Sequence, residues 1–393
     1  MSGGMRRPFA VERGWKMNRK RICRAWMALL LLAALLLGGC GGKAPDGGVQ
    51  SNAPYNYRLV EGTVSIVAYT GADTAVTVPA EIDGKPVRSI GSRAFSWNKT
   101  VESVTLPEGL ASLGDAAFYN CPALKSLSLP ASLTTLGADV LADCTALEAV
   151  TVADGNPAFA AEDGILFSAD RRTLLCYPPA RAGERYAVPD TVTSIGRQAF
   201  EEAVYLTEVT LPESVTSIGE QAFFSCRELS AVALPTGLTS LGASAFTNCE
   251  SLLQIELPAA IREVPDQAFW NCASLAKVTL PEGLSRIGAG AFRGCLLLET
   301  LELPATVREL GDAAFCECMS LRTLTIPEGV PTLGEYLFGY CTALETVTVP
   351  ESAVNIHALA FSTCNEALVI HGPADSAIAS YAEANGLPFE AAA

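Results

Sequence analysis

Residues 209–231 read VTLPESVTSIGEQAFFSCRELSA, and close variants of this phrase return every 23 residues through most of the chain. A repeat of this length is one supersecondary unit that cannot bury its own apolar face, so neighbouring copies must stack. The sequence therefore predicts a solenoid with a core of similar layers. Prolines set the 23-residue interval: Pro189, Pro212, Pro235, Pro258, Pro281, Pro304, Pro327, Pro350 and Pro373.

Each coil is predicted to contain three segments. A short strand around Val209 alternates apolar and polar residues, as expected when one face is buried. Pro212 ends that strand because proline cannot donate to a ladder. A second extended piece runs to Ile218, and residues 221–226 are predicted to form one short helical turn. The fold class is therefore an α/β solenoid of 23-residue coils.

The coils are predicted to stack over residues 76–372, and such a stack needs a cap at each end. Residues 55–75 are expected to form an N-terminal hairpin cap. Residues 373–393 are expected to form a C-terminal helical cap, with Asp375 as N-cap and Gly386 at the helix end. One apolar residue per coil forms a buried column: Phe95, Phe118, Leu141, Phe200, Phe223, Phe246, Phe269, Phe292, Phe315, Phe338 and Phe361.

One layer, at residues 150–188, breaks the regular interval. Pro130 and Pro189 are 59 residues apart, which exceeds two periods by 13 residues. Residues 164–177 are two apolar runs around a polar turn and predict a hairpin built into an enlarged coil. Insertions of this kind project on one face of a solenoid, often a binding face. A variant layer without a ligand is the alternative, and the sequence leaves both open.

The N-terminal segment has the pattern of an export signal. Basic residues precede an apolar run from Trp26 to Leu37, which is too short for a membrane span but suits a signal peptide. The run ends in Leu-Gly-Gly-Cys40, which is similar to a bacterial lipobox. We expect a signal peptide at residues 1–39, with translation starting at Met1 or Met17, lipidation of Cys40, and a flexible tether at residues 40–54.

The composition is strongly acidic, with a net charge of −15. Removal of residues 1–39 takes away eight basic and one acidic side chain and leaves 19 basic against 41 acidic residues, a net charge of −22. Such a surface repels nucleic acid and anionic lipid. We therefore expect no nucleic-acid partner, membrane attachment only through the lipid at Cys40, and a monomer.

Nine of the 13 cysteines share one repeat position, which stacking would turn into a column. Free cysteine is often a small buried hydrophobe, so a reduced structural ladder is one interpretation. Disulfides between adjacent rungs or a metal site are the alternatives. Cys316 falls outside the column and is expected to face solvent or a neighbouring loop. The column comprises Cys121, Cys144, Cys226, Cys249, Cys272, Cys295, Cys318, Cys341 and Cys364.

No catalytic pattern is evident. The only two histidines, His357 and His371, do not accompany the Ser, Cys or Asp spacing of a nucleophilic site. The recurrent glutamates after the Leu-Pro positions are typical of a solvated rim. Phosphate-loop, zinc-protease and EF-hand motifs are also missing. The sequence predicts neither an enzyme nor a cofactor or metal.

Binding surface is easier to propose than chemistry. Large rings follow the core phenylalanine on several coils, where they could seat a sugar or a partner's apolar side chain. Packing against the neighbouring coil is the alternative. A column of threonines on the strands is a second candidate surface. The rings that form the candidate ligand-binding surface are Trp97, Tyr119, Phe224, Trp270 and Tyr340.

The joint recurrence of Leu-Pro, Ile-Gly, Ala-Phe and Cys over about residues 55–390 resembles the BspA-like class of bacterial leucine-rich repeats. The resemblance implies a bacterial surface protein with a role in adhesion or host interaction. We therefore expect an exported, lipid-anchored, outward-facing protein that binds an extracellular protein or glycan. A scaffold of the cell envelope without a host ligand is the alternative.

Overall fold

Two columns of parallel strands and one column of turns make up the solenoid. The structure, a computed structural model, describes residues 48–392. The expected signal peptide, Cys40 and residues 41–47 of the tether lie outside the described residues. The repeat produces about 14 turns of roughly 23 residues, which confirms the predicted solenoid.

The strands are two to seven residues long, as a coil of this length requires. They are β1 (Gln50–Asn52), β2 (Tyr55–Val60), β3 (Thr63–Tyr69), β4 (Ala75–Thr77), β5 (Glu81–Ile82), β6 (Lys85–Ile90), β7 (Ser103–Thr105), β8 (Ser112–Leu113), β9 (Ser126–Leu129), β10 (Thr135–Leu136), β11 (Ala149–Val152), β12 (Phe159–Glu162), β13 (Ile165–Ser168), β14 (Thr173–Cys176), β15 (Arg185–Ala187), β16 (Ser194–Ile195), β17 (Glu208–Thr210), β18 (Ser217–Ile218), β19 (Ala231–Ala233), β20 (Ser240–Leu241), β21 (Gln254–Glu256), β22 (Glu263–Val264), β23 (Lys277–Thr279), β24 (Arg286–Ile287), β25 (Glu309–Leu310), β26 (Thr323–Thr325), β27 (Thr332–Leu333), β28 (Thr346–Thr348), β29 (Asn355–Ile356), β30 (Val369–Gly372) and β31 (Phe389–Ala391). The helix α1 spans Ala377–Asn385.

Equivalent strands of successive coils pair in parallel at the repeat interval. On the first sheet face, β17 pairs with β19 and places Val209 beside Val232. On the second sheet face, β18 pairs with β20 and places Ile218 beside Leu241. This register keeps each apolar position over its own copy in the next coil, so a shift by one residue would expose the core residues of that coil.

The third segment of each coil is not the helical turn that the sequence predicted. Gln221 and Ser225 have positive φ angles of 56° and 58°, so left-handed residues interrupt the right-handed ones. L-residues do not propagate a helix through such an alternation. The amide of Phe223 instead donates to Ala245 of the next coil at 2.8 Å, while the amide of Phe224 closes a turn onto Gln221 at 3.0 Å. These overlapping turns form the turn face, residues 220–226 and their equivalents.

The core is a column of stacked rings. From Tyr177 to Phe361 the adjacent centroids are 4.8–6.1 Å apart. Each pair of this kind adds about 0.5–1.5 kcal/mol to the free energy gained from burial. Leu141 interrupts the column, because no ring at that coil joins Phe118 to Tyr177. The buried core correspondingly divides into two clusters, residues 55–166 and 165–382.

Both ends of the solenoid are capped as the sequence predicted. Strands β2 and β3 form an antiparallel hairpin, and Tyr69 of β3 stacks on Phe95 at 4.9 Å. Helix α1 closes the other end and ends at Gly386 in the left-handed conformation. Its N-cap is Ser376 and not Asp375, because the Ser376 side chain accepts from the amide of Ala379. The described part of the chain contains no helix with the length and hydrophobicity that a membrane span needs.

Candidate functional site

The five rings singled out from the sequence occupy two different positions on the turn face. Trp97 and Tyr340 stand immediately before the repeat position of the cysteine column, and their side chains are 58% and 43% exposed. Tyr119, Phe224 and Trp270 stand one residue earlier and are only partly exposed. The first pair therefore offers free ring surface, while the other three are partly covered by neighbouring coils.

The rings form local pairs and do not gather into one site. The Trp97 and Tyr119 rings, on adjacent coils, meet edge to face at 5.6 Å. Trp270 is covered by the guanidinium of Arg293 on the next coil, 5.5 Å from its centroid. Tyr340 lies near the C-terminal end of the stack. The turn face thus presents two exposed ring pairs, Trp97 with Tyr119 on adjacent coils and Tyr340 stacked with Tyr336 of its own coil at 6.4 Å.

Trp97 and Tyr340 are held in a conformation that bulky residues rarely adopt. Their φ angles are 65° and 61°, in the left-handed region. This conformation costs an L-residue about 1–2 kcal/mol, and asparagine tolerates it best. The left-handed conformation recurs at this repeat position in other coils. Three of them place asparagine there (Asn120, Asn248 and Asn271), and others place Asp143, Glu202, Ser225, Glu317 and Thr363.

A cleft of about 280 Å³ opens on the turn face between the Leu141 coil and the enlarged layer. Its floor is apolar and includes Leu141, Leu166 and Tyr177. Its rim carries Asp139 and Asp143, and Glu201 is buried beside them. The sequence contained both signals for this cleft, since leucine replaces phenylalanine at position 141 and the following layer is irregular. It was missed because neither signal shows that the two departures meet at one point.

The cleft exists because the hydrogen-bond ladder of the turn face breaks there. In the regular coil after the enlarged layer, the amides of Gln198, Phe200 and Glu202 all donate to backbone carbonyls of the coil that comes after it, at 2.7–3.0 Å. On the turn face of the enlarged layer, the amide of Tyr177 donates to Ala199 at 2.6 Å. Pro179 stands where a regular coil would donate to Glu201, and proline has no N–H. Among residues 48–392, the amides of Asp139 and Leu141 have no backbone acceptor.

The electrostatics of the cleft are dominated by carboxyl groups. Burial raises the pKa of Glu201 well above its usual range, and the nearby Asp143, Glu202 and Asp139 raise it further. The backbone amide of Asp143 donates to the Glu201 carboxyl. Arg197 bridges the two walls, with its Nε 2.9 Å from Asp139 Oδ1. The cleft therefore combines an apolar floor with an acidic rim that holds a single arginine.

The nine cysteines of the repeat lie in one column on the inner side of the turn face. Every thiol donates to the backbone carbonyl of the phenylalanine-position residue 26 residues earlier, at 2.9–3.3 Å. All nine are free thiols. From Cys226 to Cys364, burial raises the pKa of each thiol, as expected for a structural group and not for a nucleophile.

Cys316 is buried, so of its two expected environments, solvent or a neighbouring loop, it has the second. Only 2% of its surface is exposed, because Gly339 of the next coil leaves room for its sulfur. Burial raises the pKa of Cys316 to about 11. Among the described residues, no group of three or more His, Cys, Asp or Glu side chains is placed to hold a metal ion.

The threonine column lies on the first sheet face. Thr105, Thr210, Thr279 and Thr325 are exposed and Thr348 is partly so. Neighbouring charges pair across the coils, as in Arg322 with Glu345 at 2.7 Å. Exposed pairs of this kind contribute at most about 1 kcal/mol. This face is a solvated sheet that presents short hydroxyl groups and paired charges.

Solved bacterial proteins share this architecture. A leucine rich cell surface protein from Faecalibacterium prausnitzii is 26% identical with a TM-score of 0.55, covering 83% of this chain and 94% of that protein. A leucine-rich repeat protein from Eubacterium ventriosum is 21% identical with a TM-score of 0.55, covering 81% and 95%. The second likeness concerns the fold alone. A comparison with curated proteins found no match.

The repeat sequence itself matches a family model. The model for the BspA type leucine rich repeat region matches six copies, over residues 76–159, 184–297 and 262–382. These matches cover most of the solenoid, including the ten phenylalanines of the ring column and the nine cysteines of the cysteine column. The chain belongs to the BspA-type leucine-rich-repeat family.

Proposed function

We propose that this chain is an exported, monomeric surface protein, anchored by a lipid on Cys40, that binds an extracellular protein or glycan through its turn face. The relative from Faecalibacterium prausnitzii is described as a cell surface protein, which supports the location. The apolar run before Cys40 and the glycine-rich segment after it support export and anchoring. Two acyl chains on the cysteine would hold the protein stably to a bilayer.

The exposed ring of Trp97 is the observation that carries the binding proposal. An indole that is 58% exposed gains little from burial and is also held in a strained left-handed conformation. Folding therefore does not explain why tryptophan stands where other coils have asparagine. Recognition explains it, because rings of this kind are enriched where proteins bind partners or stack on sugars. Tyr119 enlarges the platform and fixes the indole edge-on.

Binding can be tested with the full chain purified in mild detergent. It would be screened against extracellular matrix proteins and a glycan array, together with the Trp97→Asn variant. We expect saturable binding that weakens at least about tenfold in the variant, as for the loss of a central aromatic contact. Leu253→Ser is the matched control, because Leu253 is 56% exposed but lies off the turn face. Absence of saturable binding to every ligand would overturn the proposal.

Anchoring and exposure need a separate experiment in cells. Wild type should incorporate radiolabelled palmitate and remain with membranes, and Cys40→Ala should do neither. Protease added to intact cells should remove the wild-type protein if it faces outward. Full protection from protease, with release only after cell breakage, would favour the envelope scaffold instead.

A further inference from the structure

The broken ladder at the cleft leaves backbone groups that a regular coil would satisfy. Asp139 and Leu141 are two residues apart, and their amides have no backbone acceptor, whereas the equivalent amides of Ala116 and Phe118 donate to the next coil. Across the cleft, the carbonyl of Glu201 lacks the donor that Pro179 cannot supply. Donors on one wall and an acceptor on the other are the groups that an added strand uses when it joins a sheet edge.

The side chains of the cleft select against one class of ligand. Two neighbouring amides could bind an anion, but the carboxylates of Asp139 and Asp143 stand beside them and would repel it. A ligand that offers a neutral carbonyl oxygen to the two amides and a positive charge to the carboxylates fits both groups. The cation would face Asp143, because Arg197 already engages Asp139 on the other side.

We propose that the cleft between the Leu141 coil and the enlarged layer binds an extended peptide segment of a partner protein that carries a lysine or arginine side chain. The carbonyls of the segment accept from the amides of Asp139 and Leu141. Its basic side chain runs along the apolar floor with its charge against Asp143. This inference rests on the proposed function, since it names the chemistry of a protein partner for one part of the turn face.

The size of the cleft is consistent with a short segment. Its volume of about 280 Å³ lies at the lower end of small-molecule pockets, so it admits a side chain and the adjoining backbone but not a folded domain. Leu141 and Tyr177 supply apolar surface for the aliphatic stem of a lysine or arginine, which commonly packs in this way. A sugar ring could form hydrogen bonds with the backbone amides of the cleft. It carries no positive charge to pair with the carboxyl groups.

Two variants test the cleft with little risk to the fold. Leu141→Phe installs the residue that ten other coils have at this position, so the new ring should stack and fill the floor. Asp143→Asn removes one carboxylate and installs the residue that Asn120 supplies at the same left-handed position of the preceding coil. Glu317→Gln is the control, because it changes a carboxylate at that repeat position on a coil away from the cleft.

The probe is a pool of fluorescent ten-residue peptides with a fixed central lysine, compared with otherwise identical pools with central norleucine or glutamate. Fluorescence polarisation with the full chain should show binding of the lysine pool only. We expect at least about a tenfold loss in Asp143→Asn, as for the removal of a charged hydrogen-bond partner, no binding by Leu141→Phe, and no change in Glu317→Gln.

Three results would overturn the proposal: equal binding of the lysine and glutamate pools, no binding of any pool, or unchanged binding by Leu141→Phe. Binding of a glycan that Leu141→Phe abolishes, without peptide binding, would assign the cleft to sugars instead. Failure of this inference is distinguishable from failure of the proposed function. If matrix proteins or glycans bind and Trp97→Asn weakens them while the cleft variants do not, only the inference fails.

Discussion

The thiol of Cys249 lies 3.2 Å from the backbone carbonyl of Phe223, a residue of the preceding coil. The same carbonyl accepts a hydrogen bond from the amide of Cys226 at 3.2 Å. One carbonyl therefore has a partner within its own coil and a partner in the next coil. Repetition of this contact along the column gives the turn face a second cross-coil link beside the backbone ladder.

Replacement of Cys249 by alanine should destabilise the solenoid only modestly. The carbonyl of Phe223 keeps one partner and the cavity is small, so we expect the free energy of unfolding to fall by about 1–2 kcal/mol. Ala203 occupies the same position in its own coil, which shows that the fold tolerates the loss. Urea unfolding followed by circular dichroism measures it. Cys249→Val fills the space without a donor, and stability equal to wild type in that variant would show that the thiol only fills volume.

The column thiols should resist alkylation in the folded protein. Burial raises the pKa values of the thiols from Cys226 to Cys364, so the reactive thiolate is scarce at pH 8. We expect maleimide labelling followed by peptide mass spectrometry to modify Cys364 first, because it is the only one of these seven that is partly exposed. The others should react only in denaturant. Linked peptides from adjacent rungs, found without reduction, would support disulfides instead.

Replacement of Glu201 by glutamine should change the pH dependence of stability. The pKa of Glu201 is raised on folding by burial and by Asp143, Glu202 and Asp139. The folded state therefore favours the protonated form, whose stabilising contribution is complete below the ordinary carboxyl value of about 4.3 and is lost as pH rises through the folded value. We expect the melting temperature of Glu201→Gln to exceed that of wild type at pH 8 and to be almost equal to it at pH 4.

Differential scanning calorimetry across this range gives the comparison. Glu256→Gln is the control, since Glu256 is an exposed carboxylate on the first sheet face, and its melting temperature should follow wild type at every pH. A constant offset between Glu201→Gln and wild type from pH 4 to pH 8 would contradict the assignment of a raised pKa.

Two substitutions at Trp97 should separate strain from packing. Asparagine relieves most of the left-handed strain but loses the edge-to-face contact with Tyr119, and these terms are similar in size, so the net change should stay within about 1 kcal/mol. Alanine loses the contact and keeps the strain. We expect Trp97→Ala to be less stable than Trp97→Asn by about 1 kcal/mol in urea unfolding. Equal stability of the two variants would show that position 97 carries no strain.

The regular part of the architecture could be predicted from sequence because the repeat is local. The 23-residue interval, the proline that ends each strand and the apolar alternation determine which residues face inward, and stacking follows from the apolar surface of each coil. The hairpin and helix caps also carry local signals, such as Gly386 at the helix end. The prediction of a helical turn was wrong because apolar spacing does not report the sign of φ, which is positive at Gln221 and Ser225.

By itself, then, the sequence determined the solenoid, the order of its layers and the absence of a catalytic motif, since each depends on residues close together in one repeat. Only the tertiary structure decided where the ladder opens, because Leu141, Pro179 and Glu201 come from three coils that meet through stacking. It also decided that Trp97 is exposed while Trp270 is covered by Arg293. Exposure depends on the neighbouring coil, and the periodic pattern does not encode that contact.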